Sequence, residues 1–281
     1  MEKVAPLAEI ITRRTQKSWQ QKKPASSYIF REMIRIFKNA SGILFLIYSM
    51  MVFIAAMILV FPFILISSIL FKEKQAQDII FLFLKLWAWI FSIVCFFPVR
   101  TRGYKHKNQD KAYIYVCNHN SYLDAIAVVI CISGSVKPLG KIEMVKTPLF
   151  GMIYKRVVVL IDRKNKESRA HSVEELKNDL ARGQSILIFP EGTMNKTEAG
   201  LSDFYDGAFR LAIETQTDIA PMVILNARNL LPRANPLSVK PGLITCIFDE
   251  PVYVAGLQAE DLEDLKANVR KRMENLMKSS V

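Results

Sequence analysis

A 281-residue chain with 51% hydrophobic residues, 23% charged residues, a formal net charge of +12 and a mean hydropathy of +0.18 is too apolar for an ordinary soluble domain, and its charge calls for anionic partners. The four cysteines (Cys95, Cys117, Cys131, Cys246) stand apart among apolar residues with no Cys-x-x-Cys pair, which argues against zinc and a disulfide framework and for a reducing compartment. The basic excess is accompanied by no zinc-finger spacing, RNP-type aromatic signature or recognition-helix pattern, so no nucleic-acid partner is expected; anionic membrane lipids suit it, at about 1 kcal/mol per cation near the surface.

Residues 1–41 read as a basic amphipathic segment carrying Arg13, Arg14, Lys17, Lys22, Lys23, Arg31, Arg35 and Lys38. Residues 42–98 read as a membrane-embedded helical hairpin. From Ile43 to Phe71 no side chain is ionised and only Pro62 interrupts; about 20 apolar residues suffice for a span. Lys72-Glu73-Lys74 separates this run from a second, Ile79 to Phe97, which contains Lys85. The first run starts too far into the chain, and without a small-residue cleavage site, to be a removable signal peptide. Basic residues flank the hairpin on its far side too, at Arg100, Arg102, Lys105 and Lys107. Such clusters favour the cytoplasmic side. Both flanks are therefore expected on the cytoplasmic face of a cell membrane, the inner membrane if the source is bacterial. Hydropathy leaves open whether the hairpin crosses the bilayer or dips into one leaflet.

Residues 99–281 alternate strand-like and helix-like stretches, which predicts an α/β domain with a mixed sheet and helices packed on it. The expected strands are Ala112–Cys117, Val157–Asp162, Ser185–Phe189, Ile219–Leu225 and Leu243–Phe248. The expected helices begin with Leu123–Ile132. A second starts at a capping box, Ser172-x-x-Glu175, with Val173, Leu176 and Leu180 on one face and Gly183 as its stop. Gly207–Thr215 is a third, and Leu262, Leu265, Val269 and Leu276 define the inner face of a closing one.

The stretch Asn118-His119-Asn120-Ser121-Tyr122-Leu123-Asp124 follows directly on the first of these strands. In a regular helix, five residues rotate by roughly 140°, so His119 and Asp124 meet only if the histidine lies in the loop before the helix and the aspartate in its first turns. An aspartate beside a histidine fixes its tautomer and stabilises the imidazolium, which suits a general base. The competing role is a helix cap, with Asn118, Ser121 or Asp124 satisfying free backbone amides. A second strand, from Ser185, ends in Phe189-Pro-Glu-Gly-Thr193. Two strands that both end in polar, turn-forming clusters describe an active site at the rim of a sheet. Cys117 reads as inward-facing filler, and His106 and His171 as surface residues.

These blocks resemble the glycerolipid acyltransferase family, whose best-known members are the 1-acylglycerol-3-phosphate O-acyltransferases. His119 to Asp124 matches its His-x4-Asp block and Phe189 to Thr193 its Phe-Pro-Glu-Gly-Thr block. Lys141, Pro148, Gly151 and Ile161-Asp162-Arg163 follow the family order between them, and Ile219-Ala-Pro-Met-Val-Ile224 resembles the fourth block. The likeness covers roughly residues 100 to 250. It implies a membrane-bound enzyme that moves a fatty acyl chain from acyl-CoA or acyl-acyl carrier protein to the free hydroxyl of 1-acylglycerol-3-phosphate, a lysophospholipid, giving phosphatidic acid. It implies no cofactor and no metal, His119 and Asp124 as catalytic residues, Glu191, Gly192 and Thr193 as an acceptor-binding loop, and Lys141 and Arg163 as phosphate ligands.

The chain departs from the family at Met194, where arginine is common, and at Tyr205 in Phe204-Tyr-Asp-Gly207, where lysine is common; Lys196 and Arg210 are the neighbouring cations. Those departures keep a second acceptor open, another lysolipid such as an N-acyl amino acid. A non-catalytic membrane-binding module is the alternative of another class, opposed by the intact His119, Asp124 and Glu191. A lipid hydrolase lacks its Gly-x-Ser-x-Gly elbow here.

Overall fold

The computed structural model of the chain describes residues 25–104, 111–197 and 199–279, with side chains from Ala40 onward except that of Glu73. The basic positions Arg13, Arg14, Lys17, Lys22, Lys23, Lys105 and Lys107, together with His106, lie outside the described residues, as do the side chains of Arg31, Arg35 and Lys38.

Two helices come first, α1 (Ala25–Leu70) and α2 (Glu73–Val94). The stretches Ala40–Leu70 and Lys74–Val94 are each long and apolar enough to cross a membrane. They are held together by interlocking aromatic rings. Phe53 meets Trp87 edge-on at 4.8 Å and Phe91 at 5.8 Å, and Phe63 stacks on Phe83 at 4.9 Å. The Trp87 indole N–H donates to the Phe53 carbonyl at 3.2 Å.

The hairpin also rests on the rest of the chain at both of its ends. Near its start Gly42 approaches the backbone of Leu237 so closely that a Cβ would stand 1.9 Å from the carbonyl oxygen. Near its turn, Arg156 Nε donates to Ser68 Oγ at 3.0 Å and Lys74 Nζ to the Gly183 carbonyl at 3.4 Å. The pair therefore lies along the domain instead of projecting its turn away from it. Its outer face carries exposed Leu44, Ile47, Met51, Ile58, Leu86 and Trp89.

Seven strands form one sheet: β1 (Val99–Gly103), β2 (Ile114–Cys117), β3 (Val136–Lys141), β4 (Val159–Ile161), β5 (Ser185–Ile188), β6 (Ile219–Leu225) and β7 (Ile244–Phe248), in the order β1-β7-β6-β2-β5-β3-β4. All neighbours are parallel except β6 and β7, so the sheet is mixed, as expected. Alternation sorts its two faces. Tyr115, Cys117, Leu187, Met222 and Ile224 face the hairpin and α3 (Leu123–Cys131). Ile114, Val116, Ile186 and Val223 face α5 (Lys166–Ala181), α6 (Gly207–Thr215) and α8 (Leu262–Lys278). The shorter α4 (Phe150–Val157) and α7 (Ala227–Leu230) lie between strands in the chain.

Three expectations need correction. Helix α5 begins at Lys166, not at Ser172. Its cap is Asn165, whose Oδ1 accepts from the amides of Glu167 and Ser168 at 2.8 and 3.1 Å. Ser172 sits mid-helix, buried, with its hydroxyl on the Arg169 carbonyl, and Val173 points outward. The first turns of α5 are polar, so apolar periodicity reports the start late. Val157 closes α4, and the strand starts at Val159. In α8 the expected Leu265 and Val269 are buried and Leu262 and Leu276 pack partly covered against the same cluster, but the expected face lacked Met273, which is fully buried there.

Candidate active site

The carboxyl ends of β2, β5, β3 and β4 lie side by side on one rim, about 4.8 Å per strand. The chain leaves β5 for β6 on the far side of β2, so its direction reverses at this point. Clefts in open α/β sheets form at such crossings. His119 follows β2, Glu191 follows β5, Lys141 ends β3 and Arg163 follows β4. The rim thus carries the sequence-derived residues in that spatial order.

Asn118 anchors the first loop. Its buried side chain donates to the Ile224 carbonyl at 3.0 Å and accepts from the Ile224 amide at 2.7 Å, extending the β2–β6 ladder one step past the last strand residue. His119 then stands in the loop and Asp124 in the first turn of α3, as the spacing requires. Their Nδ1 and Oδ2 atoms are 2.9 Å apart. The same Oδ2 accepts from the amides of Asn120 and Ser121 at 2.7 and 2.8 Å. Asp124 therefore both caps the loop and orients the histidine; the two readings of the motif coincide.

Asp124 is fully buried, while the His119 side chain is 20% exposed. A carboxylate only accepts, so Nδ1 bears the proton and Nε2 presents its lone pair. The Phe189 ring stacks on the imidazole at 4.2 Å and 22°, a contact the sequence did not suggest.

Glu191 holds the two loops together. One carboxylate oxygen accepts from the His119 amide at 2.9 Å and the other from the Ser202 amide at 2.8 Å, in a buried setting. Glu191→Gln presents an NH2 group to one of those amides. It should lower the unfolding free energy by about 1–3 kcal/mol, measurable by urea titration. An unchanged midpoint would mean the amides find water instead.

Gly192 has φ 68°, in the region that favours glycine. A Cβ there would lie 2.7 Å from the Tyr205 ring and 3.3 Å from Arg163 Nη1, so the arginine and tyrosine converge over this residue. Burial pulls the Arg163 pKa below the ordinary arginine value, offset by nearby Tyr205, Glu143 and Tyr154; it stays a cation. Thr193 and Lys141 are exposed on the same rim.

The position opposite Met194 holds another guanidinium. Arg233 Nη1 donates to the Met194 carbonyl at 3.0 Å. The other side of that peptide unit, the Asn195 amide, donates to the His119 carbonyl at 2.6 Å. Ser121 Oγ ties the same loop through the Leu231 carbonyl at 3.1 Å. No local pattern announces Arg233; only the fold brings its loop here. Lys196 and Arg210 are exposed, the latter on α6. His171 is exposed, and Cys117 is fully buried. Burial, then the charges of Asp124 and Glu191, push its thiol well above the usual range, so it presents no thiolate.

Comparison with known proteins agrees with this architecture. A family model described as Acyltransferase matches residues 98–225. A 1-acyl-sn-glycerol-3-phosphate acyltransferase of Cocos nucifera is 33% identical over 177 residues, 61% of this chain and 53% of that protein. The chloroplastic 1-acyl-sn-glycerol-3-phosphate acyltransferase BAT2 of Brassica napus is 27% identical over 259 residues, 90% of this chain and 72% of that one. The chain thus spans about half the length of the first relative (53%) and nearer three quarters of the second (72%). The crystal structure of the 1-acyl-sn-glycerophosphate acyltransferase PlsC from Thermotoga maritima shares the fold, with a TM-score of 0.72 at 20% identity over 86% of this chain and 97% of that chain. Over residues 98–225, this chain is therefore similar to the acyltransferase family.

Proposed function

We propose that the chain is a membrane-bound acyltransferase that esterifies the free hydroxyl of 1-acylglycerol-3-phosphate to give phosphatidic acid. The observation that carries this reading is the His119–Asp124 pair at 2.9 Å at the rim of the sheet, with no hydrogen-bond partner for Nε2 among the described residues. Names of the relatives support the acceptor. In the reaction, Nε2 takes the hydroxyl proton as the oxygen attacks the thioester carbonyl carbon. The C–O bond forms, and the tetrahedral oxyanion then expels the thiolate. The thiolate takes its proton from the imidazolium, leaving an ester and a free thiol. No enzyme nucleophile is needed. The donor is acyl-CoA or acyl-acyl carrier protein. Arg163, Lys141 and the Glu191-Gly192-Thr193 loop hold the acceptor's phosphate, with Arg233 on the opposite flank of His119.

The chain divides on this reading into a basic segment (1–41), a membrane-embedded hairpin (42–98) and a catalytic domain (99–281). A hairpin lying along the domain, apolar on its outer face, suits insertion into one leaflet. At 1.5 Å per residue, the 31 residues of Ala40–Leu70 extend about 46 Å, more than the roughly 30 Å hydrocarbon core. Both flanks of the hairpin are then cytoplasmic. A cysteine introduced at Lys22 should be shielded from an impermeant maleimide in intact cells and react after lysis; labelling in intact cells would reverse the topology.

Labelled acyl donor incubated with the purified chain and a panel of lysolipids tests the activity. 1-Acylglycerol-3-phosphate should be the preferred acceptor. Met194 and Tyr205 stand where the family often has cations, and favour a second reading, acylation of a phosphate-free lysolipid. Higher turnover with an N-acyl amino acid would replace the first reading by the second.

A further inference from the structure

At the opposite rim, where β2, β5 and β3 begin, lies a cleft of about 430 Å³. Tyr113, Ser135 and Ser185 form its strand side, and α2 supplies Lys74, Asp78 and Lys85. These strands are parallel, so the cleft is separated from the His119 rim by the length of a strand, roughly 13 Å for four residues. None of these residues takes part in the acyl transfer described above.

The charges of the cleft do not balance. Lys111 Nζ, at its edge, pairs with Asp218 Oδ2 at 2.6 Å. Asp78 accepts from the Ser135 hydroxyl at 2.5 Å. Among the described residues, Lys74 reaches the Gly183 carbonyl, at 3.4 Å, and no carboxylate. Lys85, midway along the apolar α2, has no carboxylate partner among the described residues; its ammonium stands over the Phe81 ring at 5.4 Å. Among the described residues three ammonium groups thus meet two carboxylates, which leaves one positive charge over. An ionisable side chain within an apolar, lipid-facing hairpin marks a site that receives a partner. The mouth is also amphipathic, because Leu82 lines the cleft and is 64% exposed on the outer face of the hairpin. A free anion uses the cations alone, whereas a lipid uses both features.

We propose that this cleft binds the phosphate of an anionic lipid, with Lys85 and Lys74 as its cations, the Ser135 and Tyr113 hydroxyls beside them, and Leu82 against the glycerol and first methylenes. The site is separate from the acceptor site and does not depend on which lysolipid is acylated.

Native mass spectrometry of the full chain in detergent with added phosphatidylglycerol tests it. One lipid should be retained. Retention should fall about tenfold or more in Lys85→Met and severalfold in Lys74→Gln, the scale of one lost charge-assisted contact, and stay unchanged in Lys155→Gln, an exposed lysine of α4. Phosphatidylcholine, whose headgroup carries no net charge, should be retained weakly. Equal retention of phosphatidylglycerol by the parent chain and both cleft variants overturns the proposal. Complete displacement by an equal concentration of inorganic phosphate overturns the lipid assignment in favour of a free anion. Without lipid, Lys85→Met should melt at the same temperature or higher, because an unpaired cation is removed. A lower melting temperature with unchanged retention would make Lys85 a structural residue and also end the proposal.

Discussion

His119→Ala is expected to lower turnover by about 10²- to 10⁴-fold while the chain still folds and still sediments with membranes. The imidazole is 20% exposed and its only side-chain hydrogen bond among the described residues is to Asp124, so truncation leaves the β2 ladder and the Glu191 clamp on the His119 amide in place. The loss is therefore chemical. Asp124→Asn is expected to be severe by a different route. The amides of Asn120 and Ser121 and His119 Nδ1 all converge on one oxygen. A neutral amide there no longer stabilises the imidazolium, and its NH2 group competes for the wrong tautomer. Initial rates with saturating acyl donor and acceptor measure both effects. Near-normal turnover of well-folded His119→Ala would remove the general base from the scheme.

On the proposed function, Arg163→Ala is expected to raise the KM for 1-acylglycerol-3-phosphate by roughly ten- to a hundredfold, the equivalent of one charge-assisted contact of about 1.5–3 kcal/mol. Its effect on a phosphate-free lysolipid should be much smaller. A phosphomonoester carries close to two negative charges at neutral pH, and a guanidinium is its strongest side-chain partner. Arg163 meets Tyr205 over Gly192, at the edge of the loop where Met194 supplies no cation. Steady-state kinetics with the two acceptors separates binding from packing. Equal losses on both acceptors would identify Arg163 as a support for the Gly192 loop and not as a phosphate ligand.

What could be read from the residues alone follows sequence separation. Helix α6 and strand β6 have the boundaries their own apolar patterns predict, Gly207–Thr215 and Ile219–Leu225. Strand β3 does not announce itself: Val-Lys-Pro-Leu-Gly-Lys contains both proline and glycine, and it becomes a strand because β5 and β4 pair with it on either side. Strand β1 alternates arginines at an edge, where pairing with β7 alone makes the assignment. The same division runs through the site. His119 and Asp124 are five residues apart and their meeting follows from loop-then-helix geometry. Arg233 reaches Met194 across 39 residues and Glu191 reaches the His119 amide across 72. Only the strand order brings those groups together, and strand order is not written in local pattern.

The hairpin laid along the domain bears on how substrate is counted. If its outer face lies in lipid, as proposed, the catalytic rim keeps a constant height above the leaflet, and a lysolipid acceptor would arrive by lateral diffusion within the sheet of lipid. The effective concentration is then a mole fraction at the surface and not a molarity in the bulk. Inert detergent or lipid dilutes the acceptor even when the total amount in the tube is unchanged. On the proposed function, phosphatidic acid would be released into the same two-dimensional pool, where it would compete with its own precursor for as long as nothing else consumed it.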